Sequence, residues 1–286
     1  MNHDIELRSV LLDHNGVWLA HVQAGPTVPT NPPLVFIHGW IGDHRALLPQ
    51  IAHFAQTRRV VGVHLRGHGD SEAPEQDYTI AGFADDVAWQ CQQLGLRKPL
   101  VVGHSLGGVI GLELAGRHVD LPSGIVIIDS LVFPRPIFME PARKMAERFR
   151  EADFRAAARA QAVELYLDYD DPERREQLLA PIYDAHLKAP QHAATSVFDG
   201  LLGYDPTPAA QACRVPVAYL AAGVPLIEQA SDLERFKTVC PQLTIAKTLG
   251  AGHFSPLEVP DQINAMIERF LAVGIGRKAH TGDLAA

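Results

Sequence analysis

Pro99-Leu100-Val101-Val102-Gly103-His104-Ser105-Leu106-Gly107-Gly108-Val109-Ile110 is the stretch that decides how this chain folds. The apolar run Pro99 to Val102 reads as a strand, and Gly108 to Ala115 reads as a helix, so Gly103-His104-Ser105-Leu106-Gly107 is the whole connection between them. A strand that passes at once into a helix forces its corner residue into a strained backbone conformation. Side chains two residues away on either side would collide there, which accounts for glycine at 103 and 107. The Ser105 hydroxyl then stands above the sheet edge with a helix N-terminus behind it. In this context the G-x-S-x-G pattern is a nucleophile elbow; without it, the same residues would make an ordinary glycine-rich turn.

Working outward, the chain alternates. Glu6 to Leu12 and Val17 to Gln23 flank Asp13-His14-Asn15-Gly16, and Asn-Gly between alternating apolar runs predicts a β-hairpin. Leu34 to Ile37 is short and wholly apolar, as a strand covered on both faces should be. A helix is expected from about Asp43 to Gln56, a strand from Val60 to Leu65, and a helix from Thr79 to Leu94 with Ile80, Phe83, Val87 and Leu94 on one stripe. Gly124 to Ile128 is a further buried strand. This βαβα rhythm predicts an α/β fold, a mostly parallel, doubly wound sheet.

The rhythm breaks at Phe133-Pro134-Arg135-Pro136. From there to Cys213 the chain is helix-like and poor in strands, with helices expected at Ala142 to Phe149, Arg155 to Leu167 and Glu173 to His186. Strands return at Val215 to Leu220 and Leu243 to Lys247, and a helix from about Asp261 to Leu271 closes the pattern. The expected organisation is a core of residues 1–132 and 214–273, an inserted helical cap of residues 133–213, and a frayed tail of residues 274–286. Most of the cap's aromatic residues should pack it onto the sheet, with a few lining the cleft between the two.

The chain has 286 residues, 47% of them hydrophobic and 20% charged, enough for a sizeable core. A net charge of −8 without a block of Lys or Arg argues against nucleic acid and anionic membranes as partners, leaving a small-molecule substrate. No apolar run approaches the roughly 20 residues of a membrane span. Cys91, Cys213 and Cys240 have no metal spacing and cannot pair completely, and Met1 to Glu6 lacks the order of a signal peptide; both point to a reduced, cytoplasmic setting. His64 and His68 are four apart, but Arg66-Gly67 between them disfavours the helix a metal pair would need, so neither a metal nor another cofactor is expected. Oligomeric state is open between monomer and dimer.

A serine hydroxyl needs an adjacent base. His253, in Gly250-Ala251-Gly252-His253-Phe254, follows the last expected strand on a glycine-rich, mobile loop and is the candidate. His38 and His104 sit on the same sheet edge at positions where the backbone matters more. A carboxylate should hold the imidazole in one tautomer. Asp129 stands at the carboxyl end of Gly124 to Ile128 and is assigned, with Glu228 and Asp232 in reserve. An oxyanion needs backbone N–H donors: Leu106, directly after the serine, and Trp40, in His38-Gly39-Trp40 after the strand Leu34 to Ile37, where Gly39 permits close approach.

His38-Gly39-Trp40, Arg66-Gly67-His68-Gly69-Asp70-Ser71, the Ser105 elbow and Gly252-His253-Phe254 occur in order and at fitting spacings. Together they resemble the α/β-hydrolase superfamily in its small, cap-containing esterase and lactonase branch. The resemblance covers nearly the whole core and implies an acyl-enzyme mechanism on a small, fairly apolar carboxylic ester or lactone. It departs from the commonest pattern in one respect: the usual Gly-x-x-Asp after the penultimate strand would put the acid at Leu226. The chain is also similar to cofactor-free dioxygenases of the same fold that open N-heteroaromatic rings, at Gly39-Trp40 with Asp43-His44-Arg45, at Ile127-Ile128-Asp129, and at His253-Phe254 with Val259-Pro260-Asp261. In those enzymes a histidine usually follows the serine; Leu106 stands there here. The readings to be separated are therefore ester hydrolysis, 2,4-dioxygenation of a hydroxylated quinolone-type ring, and a slow-turnover ligand receptor that keeps the same three residues.

Overall fold

The computed structural model describes residues 5–26, 31–166, 171–224 and 231–275. Arg8–His14 (β1) and Val17–Ala24 (β2) form the expected hairpin, with Asn15 and Gly16 both at positive φ and the Gly16 N–H donating to Asp13 Oδ1 at 2.7 Å. Leu34–Ile37 (β3), Val60–Val63 (β4), Leu100–His104 (β5), Gly124–Ile128 (β6), Val217–Ala221 (β7) and Leu243–Lys247 (β8) follow. All belong to one eight-stranded sheet in the order β1-β2-β4-β3-β5-β6-β7-β8. Only the β1–β2 and β2–β4 pairs are antiparallel; from β4 to β8 every neighbour is parallel.

The continuous apolar runs follow from burial on both faces. Alternate residues of one strand feed opposite layers: Val101, Ile125 and Tyr219 join one core, and Val102, Val126 and Leu220 join the other. The first layer is covered by Ile80–Gln93 (α2) and Leu106–Arg117 (α3), the second by Leu48–Ala55 (α1) and the closing helix Pro260–Phe270. The helix expected from Asp43 is split. Asp43 caps a 3-10 turn at His44–Leu47, and α1 restarts at Leu48 with Pro49 in its first turn, where a missing N–H costs nothing.

Between β6 and β7 the described residues hold helices and no strand: Pro136–Arg148 (α4), Phe154–Leu165 (α5), Pro172–Lys188 (α6), Gln191–Leu202 (α7) and Thr207–Ala212 (α8). Three differ from the sequence reading, the short α8 among them being a helix that was not expected. α4 begins at Pro136 rather than Ala142, because Pro136 occupies the first turn and the helix runs on through Pro141. α7 was not expected at all: Thr195, Ser196, Val197, Asp199 and Gly200 are poor helix formers. Packing supplies what propensity lacks. Ala193, Ala194 and Val197 are buried, and a Cβ on Gly200 would overlap the Tyr78 carbonyl. α8 lies against α3, and Gly116 of α3 allows that approach, since a Cβ there would come 2.6 Å from Ala209 Cα. Leu233–Val239 (α9), the short Ser255–Glu258 (α10) and Pro260–Phe270 (α11) complete the helices, with a π-turn at Leu271–Ile275. No described helix is long and apolar enough to cross a membrane. Residues 276–286, most of the tail expected to fray, lie outside the described residues, as do Leu167, Tyr169, Leu226 and Glu228.

Candidate active site

The carboxyl ends of the parallel strands meet at one edge, the usual place for ligands in such sheets. Ser105 makes the corner between β5 and α3 with φ 55° and ψ −121°, a conformation an L-residue adopts only under constraint. The constraint is local crowding. A Cβ on Gly103 would overlap the Gly107 carbonyl, and one on Gly107 would overlap the Ile37 carbonyl of β3. The Ser105 N–H donates to Ile128 O of β6 at 2.9 Å, which pins the corner to the neighbouring strand. Leu106 is the first residue of α3, so its N–H is one of the four without an intrahelical acceptor. Gly39 faces the same corner: a Cβ there would stand 3.1 Å from Ser105 Cβ.

Asp129 follows β6 at φ 42° and is 1% exposed. Its N–H donates to Leu220 O at 2.9 Å. Oδ1 accepts the Ala222 N–H, just past β7, at 3.1 Å, and Oδ2 lies 2.7 Å from His253 Nδ1. A buried carboxylate needs such partners. Asp232, one of the two reserves, instead caps α9, with Oδ1 accepting the Arg235 N–H at 3.0 Å. The His253 loop, expected to be mobile from its glycines, is held along its backbone. The Gly252 N–H donates to Glu258 Oε2 at 2.8 Å, the His253 N–H to Leu165 O of α5 at 2.9 Å, and the His253 carbonyl accepts from His104 Nε2 at 2.8 Å. Glu258 had not been singled out in the sequence; its distance of six residues from Gly252, across a proline-led helical turn, is the signal that could have found it.

Ser105, His253, His104, Leu106, Gly39 and Trp40 all line one cavity of about 290 Å³ between the sheet edge and helices α4 to α7. Trp40 ties its floor to its walls: the indole Nε1 donates to Ala194 O of α7 at 2.8 Å, and the ring centroid lies 4.2 Å from that of Phe149 and 5.3 Å from that of Phe198. The helical walls are mostly apolar, from Phe138 and Met145 to Leu165, Ile182 and Leu202. Two polar wall residues, Gln161 and His186, were not among the sequence candidates.

His38 does not line the cavity. It is fully buried below it, with Nδ1 donating to Gly39 O at 2.8 Å and Nε2 accepting the Leu65 N–H at 3.1 Å, so it clamps the loop after β3 to the end of β4. Burial pushes it down to about 4 and His104 down to about 3, so both are neutral near pH 7. His64 accepts the Asp70 N–H at Nδ1 and His68 faces Arg66 O through Nδ1, which makes them braces of the Arg66-Gly67-His68-Gly69 turn.

A strained serine between strand and helix, sharing one cavity with a histidine paired with a buried carboxylate, is the arrangement of a fold-wide class of enzymes. The chain belongs to that class, the α/β hydrolase fold family, whose sequence profile matches residues 32–258. It is 26% identical over 248 residues to the AB hydrolase superfamily protein YisY of Bacillus subtilis, spanning 83% of this chain and 91% of that one. It is 25% identical over 233 residues to 2-(acetamidomethylene)succinate hydrolase of Mesorhizobium japonicum, spanning 79% and 82%. The solved enol-lactonase from Burkholderia xenovorans is similar in fold at TM-score 0.79 and 24% identity, over 92% of this chain and 100% of that one. A thermophilic esterase from Thermogutta terrifontis is similar at TM-score 0.78 and 24% identity, over 94% and 99%.

Proposed function

We propose that this α/β-fold hydrolase cleaves a small, uncharged and mostly apolar carboxylic ester or lactone through an acyl-enzyme. Ser105 attacks the carbonyl carbon. His253 takes the hydroxyl proton and later returns it to the leaving alkoxide. Asp129 holds Nδ1–H, which leaves Nε2 as the base, and stabilises the imidazolium. The N–H groups of Leu106 and Trp40 receive the oxyanion, and the N-terminus of α3 adds its dipole. Water, activated by the same imidazole, releases the acid.

The observation that carries this reading is the 2.7 Å contact of His253 Nδ1 with Asp129 Oδ2, buried behind a cavity that both His253 and Ser105 line. A cavity of about 290 Å³ suits a small acyl group. None of its described lining residues is Lys, Arg, Asp or Glu, which disfavours substrates with a carboxylate, such as the succinate named for the Mesorhizobium relative. The esterase and lactonase neighbours support the reaction class. The test is p-nitrophenyl butyrate hydrolysis by Ser105→Ala. Turnover should fall to the solution background while melting temperature holds, and wild-type turnover in that variant would remove Ser105 from the reaction.

A further inference from the structure

The helical wall of the cavity is apolar with two exceptions, and neither exception has a side-chain hydrogen-bond partner among the described residues. On α5, Ala158, Gln161, Ala162 and Leu165 all reach the cavity, a spacing that puts them on one face of the helix. On α6, Ile182 and His186 do so four residues apart. α5 and α6 pack side by side. His186 is 94% buried, and its Nδ1 is enclosed with no partner among the described residues. Gln161, half-buried on the cavity lining, makes no side-chain hydrogen bond among the described residues. Native interiors almost always satisfy a buried imidazole nitrogen. The enclosed Nδ1 is out of reach from the cavity, whereas Nε2, which is not enclosed and has no partner among the described residues, is the nitrogen that an entering group can meet.

The surroundings say what kind of group. Burial pushes His186 down to about 4, so it faces the cavity neutral at pH 7. Arg159, whose charge acts on His186, does not line the cavity: it binds Glu176 Oε2 at 2.6 Å and lies over the Tyr183 ring at 3.8 Å. A carboxylate on the ligand would therefore meet no positive charge and lose its water shell. An alkyl chain would leave both polar groups unsatisfied. A neutral group able to donate and accept, the chemistry shared by an amide and a hydroxyl, fits both.

We propose that His186 and Gln161 form a recognition subsite for an uncharged hydrogen-bonding group on the substrate, away from the scissile ester. The subsite rests on the hydrolase reading above and narrows it to esters or lactones that carry such a group. It discriminates through binding: a ligand that leaves the buried imidazole and the half-buried amide unpaired is rejected more strongly than one that merely lacks a methylene.

The test compares three p-nitrophenyl esters of matched acyl length, one alkyl, one with an internal secondary amide and one ending in a carboxylate. Wild-type enzyme should prefer the amide ester over the alkyl ester by about tenfold in kcat/KM, chiefly through KM, with the carboxylate ester poorest. His186→Leu and Gln161→Leu should each bring the amide-to-alkyl ratio down towards one, and His186→Asn should restore part of it. Calorimetry of the same esters on Ser105→Ala reads the subsite without turnover and should show the same order of affinity. A wild-type ratio near one, a ratio unchanged in both leucine variants, or a carboxylate ester bound best overturns the subsite. Turnover by Ser105→Ala at the wild-type rate overturns the underlying hydrolase reading instead, and the two failures are told apart by which variant misbehaves.

Discussion

Asp129→Asn is the sharpest probe of the site, because the structure dictates how the new side chain must sit. Asp129 has two oxygens, and both are used: Oδ1 accepts the Ala222 N–H at 3.1 Å and Oδ2 faces His253 Nδ1 at 2.7 Å. Asparagine keeps one oxygen. If its NH2 turned toward Ala222, two donors would meet in a pocket only 1% exposed, so the oxygen stays on Ala222 and the NH2 faces His253. His253 Nδ1 must then accept, which moves the ring proton to Nε2 and leaves no lone pair for the Ser105 hydroxyl. The wrong tautomer costs about 10⁴ in kcat, equivalent to about 5 kcal/mol of barrier. Steady-state hydrolysis of p-nitrophenyl butyrate across pH 6 to 9 reads the loss, and a melting curve within a few degrees of wild type shows that the near-isosteric change left the fold in place. A kcat within tenfold of wild type would refute the assignment and pass the acid role to Asp232 or to Glu228, which lies outside the described residues.

Acid should unfold the protein well above the pH where ordinary carboxylates titrate. Burial holds His21, His38 and His64 near 4 and His68 and His104 near 3, while the unfolded chain protonates them near 6.5, so stability is complete above about pH 6.5 and falls as pH drops toward 4. At His38 alone that gap amounts to roughly 3 kcal/mol, and urea midpoints that stay equal at pH 7.5 and 5.0 would contradict it. Gly107→Ala should lower the melting temperature by at least about 5 °C or prevent folding, since its Cβ would overlap main-chain atoms of β3 that cannot rotate away; calorimetry is the check. Ester turnover should proceed equally with and without O₂, and a hydroxyquinolone should not be consumed in either case; uptake of one O₂ per hydroxyquinolone, read with an oxygen electrode, would move the site to ring-opening dioxygenation.

Much of the sheet was legible because each central strand is sandwiched, and a sandwiched strand must be apolar on both faces. Leu34 to Ile37 and Gly124 to Ile128 could hardly be written otherwise. Ser105 was legible for a related reason: the glycines at 103 and 107 answer to carbonyls only a few residues away or on the adjacent strand. α7 was not legible, because its residues favour a helix only when Tyr78 and the sheet domain press on them. Nor were Gln161 and His186 marked out in the sequence. A histidine inside a helix looks the same whether it faces solvent or a cavity, and its missing partner exists only once α5 and α6 are set against the sheet edge.

Local sequence therefore determined the strand alternation and the strained serine corner, since each depends on contacts within one strand or one strand–turn–helix unit, and the order of serine before histidine is read directly along the chain. The sequence already favoured Asp129 over Asp232 from its place at a strand end, and tertiary structure alone brought it within 2.7 Å of His253, 124 positions away. It also decided that the histidine's glycine-rich loop is tied to α5 and α10, and that His38 braces the site from beneath instead of lining it. Hydrogen bonds across such separations come from how strand ends converge at a twisted sheet edge, and no window of neighbouring residues encodes that convergence.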